Sequence, residues 1–287
     1  MTGEIGFVRG RKVKDGALYG LMAAAAAFVM LVLVFIVGYI ITQSAGFFKL
    51  SFVFGGEGGG LLPMIVSTVY ITVLSLGIAL PVGVITAIYL NEYSKDSGAI
   101  RVIRLAIETL AGIPSILYGL FGLLAFCRVF GFGQSIAAGA ATLSIMILPV
   151  IIRTTEESLK TIPDELRQAS LALGATRFQT IVRITAPLAL PGILTSAILA
   201  IGRVVGESAP VLLTVGIARN LPRSIFDSGR TLTIHLYYLT KEAIHPDDFA
   251  KAFATAGVLV IVVILVNGAA KLSARLFRNR PGAGASL

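Results

Sequence analysis

The 287-residue chain is 56% hydrophobic and only 14% charged, with a mean hydropathy of +0.88. That excludes a water-soluble globular protein and leaves room for about five to seven membrane-crossing helices of ~20 residues each. The net charge of +9 sits in short islands between charge-free stretches, so membrane topology accounts for it and nucleic-acid binding does not, while the single cysteine, Cys127, excludes an intramolecular disulfide and a cysteine-based zinc site.

A Lys, Arg or Asp at mid-bilayer costs roughly 2.5 to 3.5 kcal/mol on insertion scales, so charge-free runs mark the spans. They cover residues 16–48, 58–91, 109–127, 129–152, 184–202 and 252–270. Residues 17–42 of the first run would extend ~39 Å as a helix, enough to cross with tilt and too long for a signal-peptide core. Arg9, Arg11, Lys12 and Lys14 lie in the N-terminal tail, and Lys271, Arg275, Arg278 and Arg280 in the C-terminal tail. Both tails are therefore expected in the cytoplasm, which requires an even number of crossings.

The resulting reading is an all-α polytopic membrane protein with six transmembrane helices. Its parts are a cytoplasmic tail (1–16), a first span (17–42), a transmembrane domain (58–271) and a cytoplasmic C-terminal tail (272–287). Lys95, Arg101 and Arg104 fall in an inner loop; Lys49 and Arg128 mark sparsely charged outer ones. The external loop 219–251 strains the positive-inside rule with five basic residues, softened by Asp227, Glu242, Asp247 and Asp248. Its Ile225, Leu232, Ile234, Leu236 and Leu239 predict structure over the mouth of the bundle, and its His235 and His245 read as surface or core residues. Gly55–Gly60 read as a flexible outer hinge, and Pro63, Pro81, Pro114, Pro149 and Pro191 as sites where spans bend.

The inner loop 161–187 is the most informative stretch. Thr161 with Asp164, and Thr176 with Gln179, each form a capping-box pattern, and Gly174 between them predicts a left-handed helix end. Two short helices around a glycine turn follow, with Leu166, Ala169, Ser170 and Leu173 on one face of the first and Glu165 and Arg167 elsewhere. The run Gln168-Ala169-Ser170, Gly174, Ile184 and Pro187 resembles the E-A-A-x3-G-x9-I-x-L-P loop of ABC importer permeases. Gln168 stands where the motif has Glu, and Ala186 where it has Leu. The resemblance implies a type I importer permease (MetI-like) fold, and a coupling helix docked on a separate ATPase dimer through Asp164, Glu165, Gln168, Ala169, Ser170, Gly174, Ala175 and Pro187. The chain holds no Gly-Lys pair, hence no G-x4-G-K-[ST] phosphate loop. ATP and Mg would be bound by the partner; the chain itself is expected to hold no cofactor, no metal and no catalytic residue.

Arg203 and Glu207 interrupt the apolar region 187–218 and, four residues apart, share one helical face. An intramembrane ionisable pair marks a functional site, or else a self-neutralising structural ion pair. For a small oxyanion, the guanidinium supplies a planar fork of donors, and Glu207 accepts from a protonated phosphate but repels a fully ionised sulfate. Gly202 and Gly206 flank the pair in a G-x3-G arrangement that predicts close backbone approach. The contexts Gly-Glu-Ser-Ala-Pro-Val-Leu-Leu-Thr (206–214) and Ala-Gly-Ile-Pro-Ser-Ile-Leu-Tyr-Gly (111–119) are similar to PstA-type permeases of phosphate-specific ABC importers. That resemblance implies phosphate as substrate, a PstC-like permease and an external phosphate-binding protein as partners, translocation through Arg203 and Glu207, and residence in the cell inner membrane. A permease for another oxyanion such as sulfate or molybdate, a secondary anion transporter or channel, and a poreless membrane subunit stay open at this point.

Overall fold

The computed structural model describes residues 2–44, 50–55, 60–94 and 97–278. Lys49, residues 56–59 of the expected glycine hinge, Lys95, and the tail beyond residue 278 with Arg280 lie outside the described residues. The chain forms α1 (Thr2–Ser44), α2 (Leu50–Phe54), α3 (Leu62–Ile88), α4 (Gly98–Gly112), α5 (Ser115–Gly122), α6 (Ile136–Lys160), α7 (Asp164–Ala172), α8 (Arg177–Thr180), α9 (Ala186–Gly206), α10 (Ala209–Thr214), α11 (Leu232–Glu242) and α12 (Pro246–Arg278). The described elements are all helical, as a bilayer demands of backbone that has no water to bond. Five stretches, 15–44, 62–93, 136–160, 177–206 and 247–272, are long and apolar enough to cross, and α4 with residues 115–129 makes a sixth as a bent pair.

That bend corrects the expected straight span over 109–127. The helix starts at Gly98 under a Ser97 cap, takes in Arg101, Arg104 and Glu108, and breaks at Ile113–Pro114. Proline drives the residue before it out of the α region, and Ile113 is extended at ψ 131°. The two helices meet at 102°, and the Tyr118 hydroxyl donates to Leu110 O across the corner at 2.7 Å. The next expected run began at Val129, but helix resumes only at Ile136. Pro81, Pro149 and Pro191 sit inside helices.

The centre of the bundle is α3, α6 and α9, whose Ile71, Leu143, Met146, Ile147, Ile151 and Val204 are buried together. Ser144 donates to Ser75 O across the first pair at 3.0 Å, a polar tie between membrane helices. At the end carrying α7, a second cluster of Ala87, Leu90, Ile100, Ile152, Leu159, Ile162 and Ala189 joins α3, α4, α6 and α9. At the opposite end, the coil after α10 lies over the start of α6: Ile136 N–H donates to Asp227 O and Ala137 N–H to Ile225 O. α11 then packs inward, Leu232 N–H bonding Thr68 Oγ1 at 3.0 Å, so the segment expected to be structured is a helix with Leu232 and Ile234 in the core. α1 leans on α12, Tyr39 meeting Phe253 edge-on.

Candidate functional site

α7 and α8 form the predicted helix–glycine–helix hairpin, with one capping box of the two. Thr176 Oγ1 accepts from Gln179 N–H at 3.2 Å and Gln179 Oε1 from Thr176 N–H at 2.9 Å. Thr161 does not cap α7: its hydroxyl donates to Ser158 O, closing α6, and α7 begins after Pro163. Proline at that junction fixes the entry without a side-chain cap. Gly174 is left-handed at φ +85°; Gly174 N–H bonds Leu171 O and Ala175 N–H bonds Ser170 O, a complete Schellman end. Asp164 and Glu165 occupy the first turn of α7, where the helix dipole favours acids.

The expected apolar face of α7 is corrected. Leu166 and Ser170 turn inward, with Ser170 Oγ 2.9 Å from Thr180 Oγ1. Ala169 is exposed, as are Gln168, Asp164, Glu165 and Pro187, and Leu173 is 90% exposed; Ala175 is half-buried. Leu171, Phe178 and Val182 are also exposed, so the hairpin presents apolar side chains away from the bundle. What holds the hairpin down is Arg167, which was assigned off the buried face. Its Nε donates to Glu92 Oε1 at 3.1 Å, Nη1 to Ile162 O at 3.0 Å and to Asp164 Oδ1 at 2.5 Å, and Nη2 to Leu159 O at 2.8 Å. One guanidinium thus ties α7 to the end of α6 and to the π-turn Tyr89–Tyr93 that ends α3. Beside it, Arg104 pairs with Glu156 and donates to Leu90 O, and Lys160 reaches Glu156 at 3.2 Å.

The hairpin runs directly into α9. Pro187 has no N–H to give an α-helical bond, and the preceding turn widens to a π-helix over Ile181–Thr185. α9 is pressed on α6 here: a Cβ on Gly192 would stand 2.1 Å from Ser158 Cβ. From Thr185 to Arg203 the helix is a rod ~27 Å long.

Arg203 and Glu207 are brought together at the far end of that rod. Arg203 occupies its last turn, and Glu207 is already extended at ψ 137°, in the break before α10. The pair is expected on one continuous helix; instead the helix breaks at the extended Glu207, and Pro210 has no N–H with which to continue the α9 ladder to Gly206 O. The contact is a single approach, Arg203 Nε to Glu207 Oε1 at 3.7 Å, with side-chain exposures of 33% and 17%. A bidentate pair would occupy the guanidinium fork; this one leaves the Nη donors outside the pair. Thr233 Oγ1 donates to Glu207 O at 2.9 Å. Among the described residues, no neighbour comes within 4 Å of a Cβ built on Gly202 or Gly206, so the G-x3-G pair forms no packing seam with them. Among the described residues, no group of three or more His, Cys, Asp and Glu is arranged to hold a metal ion.

Sequence reasoning missed Arg167, Glu92 and Arg230. Arg167 and Glu92 carry no spacing signal, being 75 residues apart. Arg230 is 4% exposed and His235, expected as a surface or core residue, is 9% exposed against it.

Residues 79–279 match the family described as binding-protein-dependent transport system inner membrane component. The chain is 35% identical over 281 residues to the probable ABC transporter permease protein YqgI of Bacillus subtilis, covering 91% of this chain and 95% of that one. It is 39% identical over 216 residues to phosphate transport system permease protein PstA 1 of Mycobacterium tuberculosis, covering 75% of this chain and 70% of that protein. In fold it is similar to a subunit of the methionine ABC transporter MetNI, with a TM-score of 0.60 at 24% identity over 76% of this chain and 94% of that one. It is similar also to a chain of a bacterial alginate ABC importer, with a TM-score of 0.69 at 15% identity over 90% and 96%. The chain belongs to the binding-protein-dependent transport system inner-membrane component family, as a multi-pass ABC importer permease with PstA phosphate transport permeases among its homologues.

Proposed function

We propose that the chain is one of two permease subunits of an ATP-driven importer of inorganic phosphate, paired with a PstC-like permease. In this reading both termini are cytoplasmic, and the α7–α8 hairpin sits in a groove of a separate ATPase dimer that binds ATP and Mg. An external phosphate-binding protein delivers the substrate at the opposite end. The observation that carries the reading is a continuous structure: the hairpin enters α9 without a break, and α9 ends at Arg203 and Glu207.

Exposed Leu171, Leu173 and Phe178 give the hairpin apolar surface to bury against the ATPase, and Glu165, Gln168 and Ala169 line its outer side. Closure of the ATPase dimer displaces the hairpin, and α9 carries the displacement to its far end, where alternating access exposes Arg203 to one side and then the other. Arg203 keeps its charge at any physiological pH and holds the oxyanion through its Nη donors. Glu207 accepts a hydrogen bond from the P–OH of a protonated phosphate, which discriminates against fully ionised oxyanions. The PstA relatives support phosphate; sulfate or molybdate is the alternative substrate.

Labelled phosphate uptake into vesicles containing all the subunits tests the reading. Arg203→Gln is expected to reduce uptake at least tenfold with the complex assembled. Unchanged uptake would remove Arg203 from the pathway, and uptake of sulfate or molybdate in preference to phosphate would overturn the substrate.

A further inference from the structure

We propose that Arg230, with Tyr238 and His235, forms a second oxyanion seat between the outer coil and the Arg203–Glu207 pair, occupied in passage by the transported anion. The inference rests on the oxyanion-import reading above.

Arg230 is 4% exposed, and none of the ion pairs among the described residues includes it. Its Nε is buried with no hydrogen-bond partner. One face of the guanidinium lies on the Tyr238 ring, 4.4 Å from the centroid, and Nη1 stands 3.4 Å from His235 Nδ1. An arginine cannot shed its proton to escape burial, so an uncompensated guanidinium here is strongly unfavourable unless an anion answers it.

Among the described residues, no carboxylate forms an ion pair with Arg230. His235 is held neutral, burial and then the charges of Arg230 and Arg219 pushing it down to about 4. Arg219 adds a second positive field at Arg230, and the carboxylate felt there, Glu242, is exposed and forms no ion pair with it. With Nη1 turned to His235, the Nε–H and the remaining Nη group make the side-on fork that fits two oxygens of a tetrahedral oxyanion.

The seat is mechanically joined to the first site. Thr231 Oγ1 lies 2.9 Å from Thr233 Oγ1, which itself donates to Glu207 O at 2.9 Å. Tyr238 packs on the core cluster that contains Val204, one residue past Arg203. Arg230 follows the coil that covers the start of α6, at the end of the bundle opposite the hairpin.

The assembled importer in nanodiscs, without the binding protein, is titrated with inorganic phosphate or sulfate while its thermal midpoint is followed; uptake is measured in parallel. Phosphate is expected to raise the midpoint of the wild type and of Arg203→Gln. The shift should vanish in Arg230→Gln and shrink in Arg230→Lys, which keeps the charge but loses the fork, with uptake in Arg230→Gln down at least tenfold. A full phosphate shift in Arg230→Gln overturns the seat. So does failure of both Arg230 variants to assemble, since the counter-charge is then a carboxylate of the partner permease. An equal shift from sulfate leaves the seat standing and overturns phosphate as the specific substrate.

Discussion

Replacing Arg167 by alanine removes one side chain with four acceptors and leaves a carboxylate behind. The Glu92 and Arg167 side chains are 11% and 16% exposed, and breaking a pair buried to that degree by deleting one partner costs ~3 to 5 kcal/mol. The bonds to Ile162 O and Leu159 O add about 1 kcal/mol each. The Asp164 arm adds little, because that carboxylate is 80% exposed. The total falls on a helix of nine residues, too short to hold its shape alone, so the hairpin loses its seat on α3 and α6 before the bundle unfolds. At about 1.4 kcal/mol per decade, even half of that loss shifts the docked population by more than tenfold. On the proposed function, ATP consumed per phosphate imported, measured in proteoliposomes with all subunits, is the direct assay. Arg167→Ala should keep ATP hydrolysis while uptake drops about tenfold or more, and Asp164→Asn should stay close to wild type. Glu92→Gln should be milder than Arg167→Ala, and the double variant should be no worse than Arg167→Ala alone, since both remove one shared contact. Normal stoichiometry in Arg167→Ala, or strict additivity with Glu92→Gln, would refute the tie.

Two more predictions follow from local geometry. Gly174→Ala places a Cβ in open space but in a left-handed residue, at a cost of ~1 to 2 kcal/mol, whereas Gly174→Asn tolerates that conformation better; uptake should rank glycine, asparagine, alanine, and equal values for all three would show that the hairpin turn is not under conformational control. His235, lowered from 6.5 to about 4, is neutral in the fold, while the unfolded chain takes up its proton below about pH 6.5, so stability is lost as pH falls from 6.5 towards 4, by up to about 3 kcal/mol. Thermal midpoints of the solubilised complex at pH 7 and 4.5 should converge in His235→Gln, and an unchanged pH slope in that variant would mean that His235 is not the group responsible.

The spans, the hairpin and the Arg203–Glu207 pair were legible because each is written in local sequence: long charge-free runs, a capping box around Gly174, two charges four residues apart in apolar surroundings. What escaped was set by contacts between distant segments or by a local rule overridden. The corner at Pro114 was visible as a proline but not as a 102° turn, because its angle is fixed by Tyr118 reaching back to Leu110 and by α10 packing on α5. The amphipathic face of α7 was assigned from apolar spacing, which put Leu173 inside; the tertiary tie through Arg167 rotated the helix and left Leu173 out. That inversion has a physical reason. On the proposed function, the hairpin keeps its apolar residues for the ATPase and holds on to its own bundle with hydrogen bonds to carbonyls that helix ends leave free. Leu159 O and Ile162 O are such carbonyls. The same logic separates the half-buried Arg203 from the buried Arg230 at the other end. Arg203 is answered, loosely, by its own carboxylate, and Arg230 by an aromatic face and a neutral imidazole. Loose or missing compensation in a low-dielectric setting is what a site for a transient anion requires, since a full ion pair would have to be broken at every passage.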